Sequence, residues 1–297
     1  MSAVMDMEQV AIERLKLAAM LPEQYYHKPL MICYSGGKDS DVLLELAHRA
    51  GIRYEVQHSL TTVDAPETIR HIKAKFQKLE EMGIPCEINN PKMSMWQLIP
   101  HKKILPTRII RYCCAVLKEP AGDHRHIATG VRWVESVKRR KRSVQEVITK
   151  KHNDKIILTN DNDDKRCFVE HCQMRAKTVT NPVIDWTDHD IYQFIEQEHL
   201  CINPLYHQGF KRIGCIGCPM AGRKMRELEF ARYPTYKRAY LHAIERMMQA
   251  RAATGMKPLP QKTAQGVFDW WMETGILDGQ MMFDTEQEDT HGNQRTV

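Results

Sequence analysis

Residues 30–40 read Leu-Met-Ile-Cys-Tyr-Ser-Gly-Gly-Lys-Asp-Ser, and the fold turns on how that stretch divides. The apolar run 30–34 predicts a buried β-strand. Ser35, Gly36, Gly37, Lys38, Asp39 and Ser40 then make a glycine turn. Beyond it Val42, Leu43, Leu46 and Ala47 recur at helical spacing to about residue 50. Strand, glycine turn and helix in that order suit an anion. The glycines let backbone N–H groups approach phosphate oxygens, and the helix N-terminus adds its dipole. Ser35 and Ser40 supply hydroxyls, Lys38 supplies positive charge, and Asp39 can hold the loop or a magnesium ion. The spacing is not that of a Walker loop, which is longer and ends in Gly-Lys-Ser/Thr.

Working outward, residues 52–57, 85–88 and 126–131 predict further strands. Residues 66–82 predict a helix, with Pro66 near its start and Gly83 just past its end. Strands alternating with helices imply a Rossmann-like α/β fold, a parallel sheet with flanking helices, whose ligands sit at the carboxyl ends of the strands. Residues 138–177 are charged and turn-rich and read as an insertion, with room for a hairpin. Helical periodicity resumes after Arg223, through residue 253 and again at 266–274. The expected division is therefore a domain over 1–222 and a C-terminal helical extension over 223–297.

Across the 297 residues, 42% are hydrophobic, enough for a large buried core, and the formal charge is +6 with a pI near 8.8. That mild basic excess favours anionic partners such as nucleotides or a nucleic-acid backbone. No apolar run reaches the ~20 residues of a membrane span, so no membrane partner is expected. Residues 1–21 mix acidic and basic side chains with apolar ones and predict an amphipathic helix rather than a secretory signal. A cytoplasmic location follows, and there nine cysteines point to metal or sulfur chemistry rather than to disulfides.

Further motifs follow in order: HSLTTVDAPET from His58, RYCCAVLK from Arg111, GVRWVESVKR from Gly130, NPVIDWTDHD from Asn181 and NPLYHQGFKRIGCIGCP from Asn203. With the loop, they resemble the phosphoadenosine phosphosulfate (PAPS) reductase-like branch of the PP-loop ATP pyrophosphatases, the adenine nucleotide alpha-hydrolases, over roughly residues 29–220. The resemblance implies binding of ATP with magnesium and cleavage between its α- and β-phosphates. Lys38, Asp39 and Arg132 are the implied catalytic residues. Asp64, Glu67, Gly130 and Arg139 join the loop in holding the nucleotide.

The resemblance also sorts the cysteines. An adjacent pair followed far downstream by Cys-x-x-Cys binds a 4Fe–4S cluster in the adenylyl-sulfate reductases, which implies Cys113, Cys114, Cys215 and Cys218 as ligands here. Four thiolates suit iron–sulfur or zinc, and the adjacent pair favours the cluster. Cys167 and Cys172 could be a second site, a redox pair or nothing. Cys33, Cys86 and Cys201 read as core positions.

A reductase of this family attacks the sulfate sulfur with a cysteine near its C-terminus, and no cysteine follows Cys218 in this sequence. The expectation moves to the ATP pyrophosphatases of DNA phosphorothioation systems of Dnd or Ssp type. Those adenylate a backbone oxygen and take sulfur from a cysteine desulfurase. The alternatives are a thioredoxin-dependent reductase of adenosine or phosphoadenosine phosphosulfate, and a non-catalytic nucleotide-sensing subunit. DNA or another nucleic acid is then the expected acceptor. The run 138–142, Lys-Arg-Arg-Lys-Arg, could meet its backbone or be a solvated edge. Lys211 and Arg212 could close over an anion. Trp270 and Trp271 could stack on a base or pack in a core.

Overall fold

The structure is a computed structural model and describes residues 3–118, 122, 125–137, 139–148, 155–157 and 177–273. Cys167, Cys172, Lys138 and the last polar residues lie outside them. Seven strands form one sheet among the described residues, in the order β3-β2-β1-β4-β7-β5-β6. β1 (Leu30–Cys33), β2 (Tyr54–Ser59), β3 (Cys86–Asn89), β4 (His126–Ala128) and β7 (Lys177–Thr180) run parallel. β5 (Gln145–Ile148) and β6 (Lys155–Ile157) are a hairpin, and β5 pairs antiparallel with β7. The parallel α/β expectation therefore holds, and the insertion adds an antiparallel edge to the sheet.

On the sheet lie α1 (Ala3–Tyr26), α2 (Lys38–Arg49) and α3 (Pro66–Glu81). Each buries an apolar stripe, Ala11, Leu15 and Ala18 from α1, Val42, Leu43, Leu46 and Ala47 from α2, and Ile72, Phe76 and Leu79 from α3. Arg14 ties α1 to the segment after β7 through both carboxylate oxygens of Asp185, each at 2.8 Å. No helix among the described residues is long and apolar enough to cross a membrane.

A second core joins α4 (Met95–Lys102), α5 (Tyr112–Leu117), α7 (Arg223–Arg232), α8 (Pro234–Ala253) and α9 (Ala264–Glu273). α6 (Asp188–Gln197) packs instead on the sheet side through Ile191, Phe194 and Ile195. Leu98 and Ile99 of α4 share this second core with Tyr240, Ile244 and Trp271. The C-terminal extension thus shares its interior with α4 and α5 rather than enclosing a core of its own. Trp271 is fully buried and its indole N–H donates to Pro106 O at 2.8 Å, so it is a core residue and not a stacking platform.

Two of the three cysteines assigned to the core lie partly buried, and burial pushes their thiols up, Cys33 to about 11 and Cys86 to about 12. Cys201 departs from the expectation and is exposed. His199 turns the chain through a positive φ of 50° after α6, and Cys201 follows on the rim of a cleft of about 510 Å³ beside α3.

His126 stands in the middle of the sheet, 1% exposed, with Nε2 2.7 Å from Thr180 Oγ1. Burial pushes its pKa down to about 4. In the unfolded chain it titrates near its ordinary value of about 6.5. Between those two values the unfolded state holds the extra proton, so stability is lost as pH falls from about 6.5 towards 4, by about 3 kcal/mol from this group. Urea midpoints at pH 7 and pH 4.5 should therefore converge in a His126→Gln variant relative to the parent; an unchanged gap counts against the assignment.

Candidate functional site

Gly36 and Gly37 carry the chain from β1 into α2. Gly36 takes a φ of +74°, and a Cβ there would meet Ile72 Cγ1 at 2.9 Å, so only glycine fits this turn against α3. Ser40 closes the loop, donating to Gly37 O at 2.7 Å and accepting the Ser35 N–H at 3.3 Å. Asn203, fully buried, donates to Gly36 O at 3.1 Å and to Thr68 Oγ1 at 3.0 Å. Tyr206 O–H accepts the Lys38 N–H at 3.1 Å. The loop is thus clamped from a segment distant in sequence.

Charge gathers on one side of it. Lys38 Nζ lies 3.1 Å from Asp39 Oδ1 and 3.2 Å from Asp188 Oδ1. Arg132, 2% exposed, places Nε 2.7 Å from Asp39 Oδ1 and donates from Nη2 to Asp188 Oδ1 at 2.7 Å. Burial works against the Arg132 charge, but Asp39 and Asp188 outweigh it and raise the guanidinium pKa. Burial likewise works against the Asp188 carboxylate, yet Arg132 and Lys38 hold it below its ordinary range. Two cations and two carboxylates alternate at the mouth of an N–H-rich loop. Such a group can exchange its internal pairing for a polyphosphate and a divalent ion.

The GVRWVES motif delivers Arg132. Gly130 abuts the loop, and a Cβ there would meet Asp39 O at 2.9 Å. The Arg132 N–H donates to Glu135 at 2.8 Å, and Glu135 also pairs with Arg139. Arg139 therefore reaches the site through Glu135, at its edge. Trp133, Arg140 and Lys141 are exposed beyond it.

Asp64 and Glu67 stand elsewhere. The Asp64 carboxylate accepts the Thr61 N–H at 2.7 Å, and its backbone forms an antiparallel bridge with Cys215. Glu67 accepts from Arg232 Nη2 and from the Tyr233 O–H, each at 2.9 Å. Burial alone would raise its carboxyl, but Arg232 and Tyr233 hold it below the usual range.

The four cysteines come from two segments. Cys113 and Cys114 lie in α5, and Cys215 and Cys218 bracket a turn in which Gly217 has a φ of +73°. A Cβ on Gly217 would run into Phe230 Cζ at 2.5 Å. The Cys113 thiol is pushed up by its hydrogen bond with Cys114, by burial, and by the charges of Cys114, Cys215 and Cys218. Cys114 is pulled down to about 5 by Cys113 and Arg111. Cys113 is therefore within electrostatic reach of the other three thiols. Among the described residues no three His, Cys, Asp or Glu side chains converge closely enough to hold a single metal ion.

The walls of this group come from several elements. The Cys215 thiol donates to Thr61 Oγ1 at 3.4 Å, and the Ile216 N–H donates to Val63 O at 2.8 Å. Glu229, its carboxyl pushed up to about 7 by burial, accepts the Gly217 N–H at 2.7 Å. Lys118 is held charged chiefly by Cys215, then by Asp64. Arg212 reaches across the turn to Met220 O at 3.1 Å. His58, 4% exposed, donates from Nδ1 to Tyr34 O at 2.9 Å, and burial lowers the pKa of the ring.

Sequence reasoning named the loop, Gly130, Arg132 and the cysteines, and missed Asp188, Asn203, Tyr206, Lys118 and Arg226. All but Arg226 lie inside motifs quoted from the sequence, but only the fold shows that Asp188, Asn203 and Tyr206 face the loop.

The profile of the phosphoadenosine phosphosulfate reductase domain matches residues 29–221. An uncharacterised protein of Methanocaldococcus jannaschii is 28% identical over 189 residues, 63% of this chain and 41% of that protein. The chain thus spans less than half of that relative's length. Adenosine 5'-phosphosulfate reductase of Lysinibacillus sphaericus is 23% identical over 222 residues, 71% of this chain and 82% of the enzyme. Among solved structures, the phosphoadenylyl-sulfate reductase of Candida auris is similar with a TM-score of 0.44 at 13% identity, over 72% of this chain and 96% of that one. The U34-tRNA thiolase NcsA of Methanococcus maripaludis, solved with its 4Fe–4S cluster, is similar with a TM-score of 0.43 at 12% identity, over 86% and 82%.

Proposed function

Because the chain belongs to the phosphoadenosine phosphosulfate reductase domain family, we propose that it uses its PP-loop to cleave ATP into AMP and pyrophosphate, adenylating an acceptor for sulfur insertion. The acceptor of this reading is a DNA backbone phosphate, with sulfur drawn from a cysteine desulfurase. The observation that carries it is the alternating group Lys38, Asp39, Arg132 and Asp188 at the mouth of the glycine loop.

A triphosphate seated on the N–H groups of the loop takes Lys38 and Arg132 from their carboxylate partners. The carboxylates of Asp39 and Asp188 so released are hard oxygen donors of the kind magnesium takes. The acceptor oxygen attacks the α-phosphorus, the bond to the α,β-bridging oxygen breaks, and pyrophosphate leaves with that electron pair. Lys38 and Arg132 stabilise the charge growing on it. Gly130 and Asn203 keep the loop in register. The exposed Trp133, Arg140 and Lys141 beside Arg132 suit a nucleic-acid strand, through stacking and phosphate contacts.

Four thiols are donors that suit an iron–sulfur cluster, and the charges of Cys114, Cys215 and Cys218 all act on Cys113. Cys113, Cys114, Cys215 and Cys218 would hold it, and a bound cluster would supply sulfur-handling or electron-transfer chemistry. A second reading, reduction of adenosine phosphosulfate, is favoured by the likeness to an enzyme of that name.

Incubation with magnesium and ATP labelled in its α-phosphate, with and without duplex DNA, should yield labelled AMP or labelled DNA together with pyrophosphate. Labelled ADP overturns the reading. Sulfite formed from adenosine phosphosulfate and reduced thioredoxin moves the assignment to the reductase.

A further inference from the structure

The family match ends at residue 221, and α7, α8 and α9 follow it. We propose that these helices complete the housing of the cysteine group and that Arg226 is an outer hydrogen-bond donor to the sulfur atoms gathered there, so that the redox potential of a cluster held by Cys113, Cys114, Cys215 and Cys218 is set from outside the family domain. This rests on the cluster reading above.

The enclosure is made of rings. Phe230 lies against Gly217, Tyr240 O–H donates to Ile216 O at 3.0 Å, and Trp271 packs on Tyr240 at 5.0 Å between ring centroids. Arg226 enters this apolar enclosure from the first turn of α7 and is 5% exposed. Its guanidinium lies 4.0 Å from the Trp271 ring centroid, and Nη1 donates to Trp271 O at 2.9 Å. Nε and Nη2 have no hydrogen-bond partner among the described residues. A guanidinium cannot shed its charge to escape that condition. Glu229, one turn further on, gives its carboxylate to the Gly217 N–H instead.

Cys218 is among the groups whose charge acts on Arg226, together with Tyr240, Glu229 and Arg108. Of these Cys218 is the one bound to lie at the surface of a cluster. Thiolate and sulfide sulfurs accept such N–H groups, and hydrogen bonds to cluster sulfurs together with local positive charge raise the reduction potential.

The test is a redox titration followed by electron paramagnetic resonance on the full chain purified without oxygen, with iron and sulfide assayed first. The parent protein should carry the cluster. Arg226→Met should keep it while the reduced form loses at least tenfold in its equilibrium, which for one electron is 59 mV more negative. Arg226→Lys keeps the charge with fewer donors and should fall between the two. If Arg226→Met sheds its iron, Arg226→Lys at full iron content decides by the same reading. A loaded variant with the parent's potential overturns the inference and leaves the cluster reading standing. A parent protein without iron and sulfide overturns both.

Discussion

Alanine at position 38 should lower the rate of AMP and pyrophosphate formation by about 10²–10³, the loss expected when one preorganised donor to a developing oxyanion is removed. Lys38 is 5% exposed and its ammonium lies between Asp39 and Asp188. Without it Arg132 alone faces two carboxylates and an incoming polyphosphate. The loop itself should hold, because the clamp from Tyr206 is made to the backbone N–H of Lys38 and not to its side chain. Arginine should rescue poorly, since a planar fork cannot replace a compact ammonium in a gap of that size. Initial rates with α-labelled ATP, beside thermal unfolding curves, check this. A full rate at unchanged stability removes Lys38 from the chemistry.

A single methyl group at Gly130 should be nearly as damaging. The Cβ would stand 2.9 Å from Asp39 O and 3.0 Å from Asp39 C, which are backbone atoms that cannot swing aside. Either the loop or the segment bearing Arg132 must shift, and displacements of this order near reacting groups lower rates by about 10²-fold. The loss of stability should stay within the 1–3 kcal/mol typical of overpacking, about what one methyl group entails. Gly222→Ala is the control, because a Cβ there meets nothing within 4 Å and its φ is −65°. Equal kcat/KM for both variants removes Gly130 from the positioning of the loop.

Much of the fold was legible because the first strands and helices are strongly patterned. The apolar run before the glycines, the helical spacing after them and the Pro66–Gly83 frame each match an observed element to within a few residues. β7 was not legible. Three of its four residues, Lys-Thr-Val-Thr, are polar, and the strand becomes interior only because β4 and β5 flank it. The hairpin in the insertion was readable as turn-rich sequence, but not its place at the sheet edge.

The site divides in the same way. Gly36, Lys38 and Arg132 carry their meaning in local motifs. Asp188 and Asn203 acquire theirs from partners more than a hundred positions away or across a strand crossover, and no local pattern encodes that. Arg226 resembles any other basic residue on a helix until Trp271 and the cysteine turn are seen around it. The proposed boundary at 222 follows a change of periodicity, but the interior runs straight across it through Leu98, Phe230 and Trp271.

The backbone bridge between Asp64 and Cys215 has a consequence for how the molecule assembles. Its two halves are widely separated along the chain, and the entropy of closing so long a loop must be met by contacts made beforehand. β1, β2 and β3, with α2 and α3 between them, are contiguous in sequence and pair locally, so they suit an early folding nucleus. The cysteine turn docks on the segment after β2 only when that platform exists and the C-terminal helices have emerged. Pulsed hydrogen exchange during refolding should accordingly show protection of the Ile32 and Val56 amides before that of Ile216. Cysteines brought together this late remain solvent-accessible through most of folding, which makes the order of synthesis itself a determinant of which thiols meet oxygen before they meet one another.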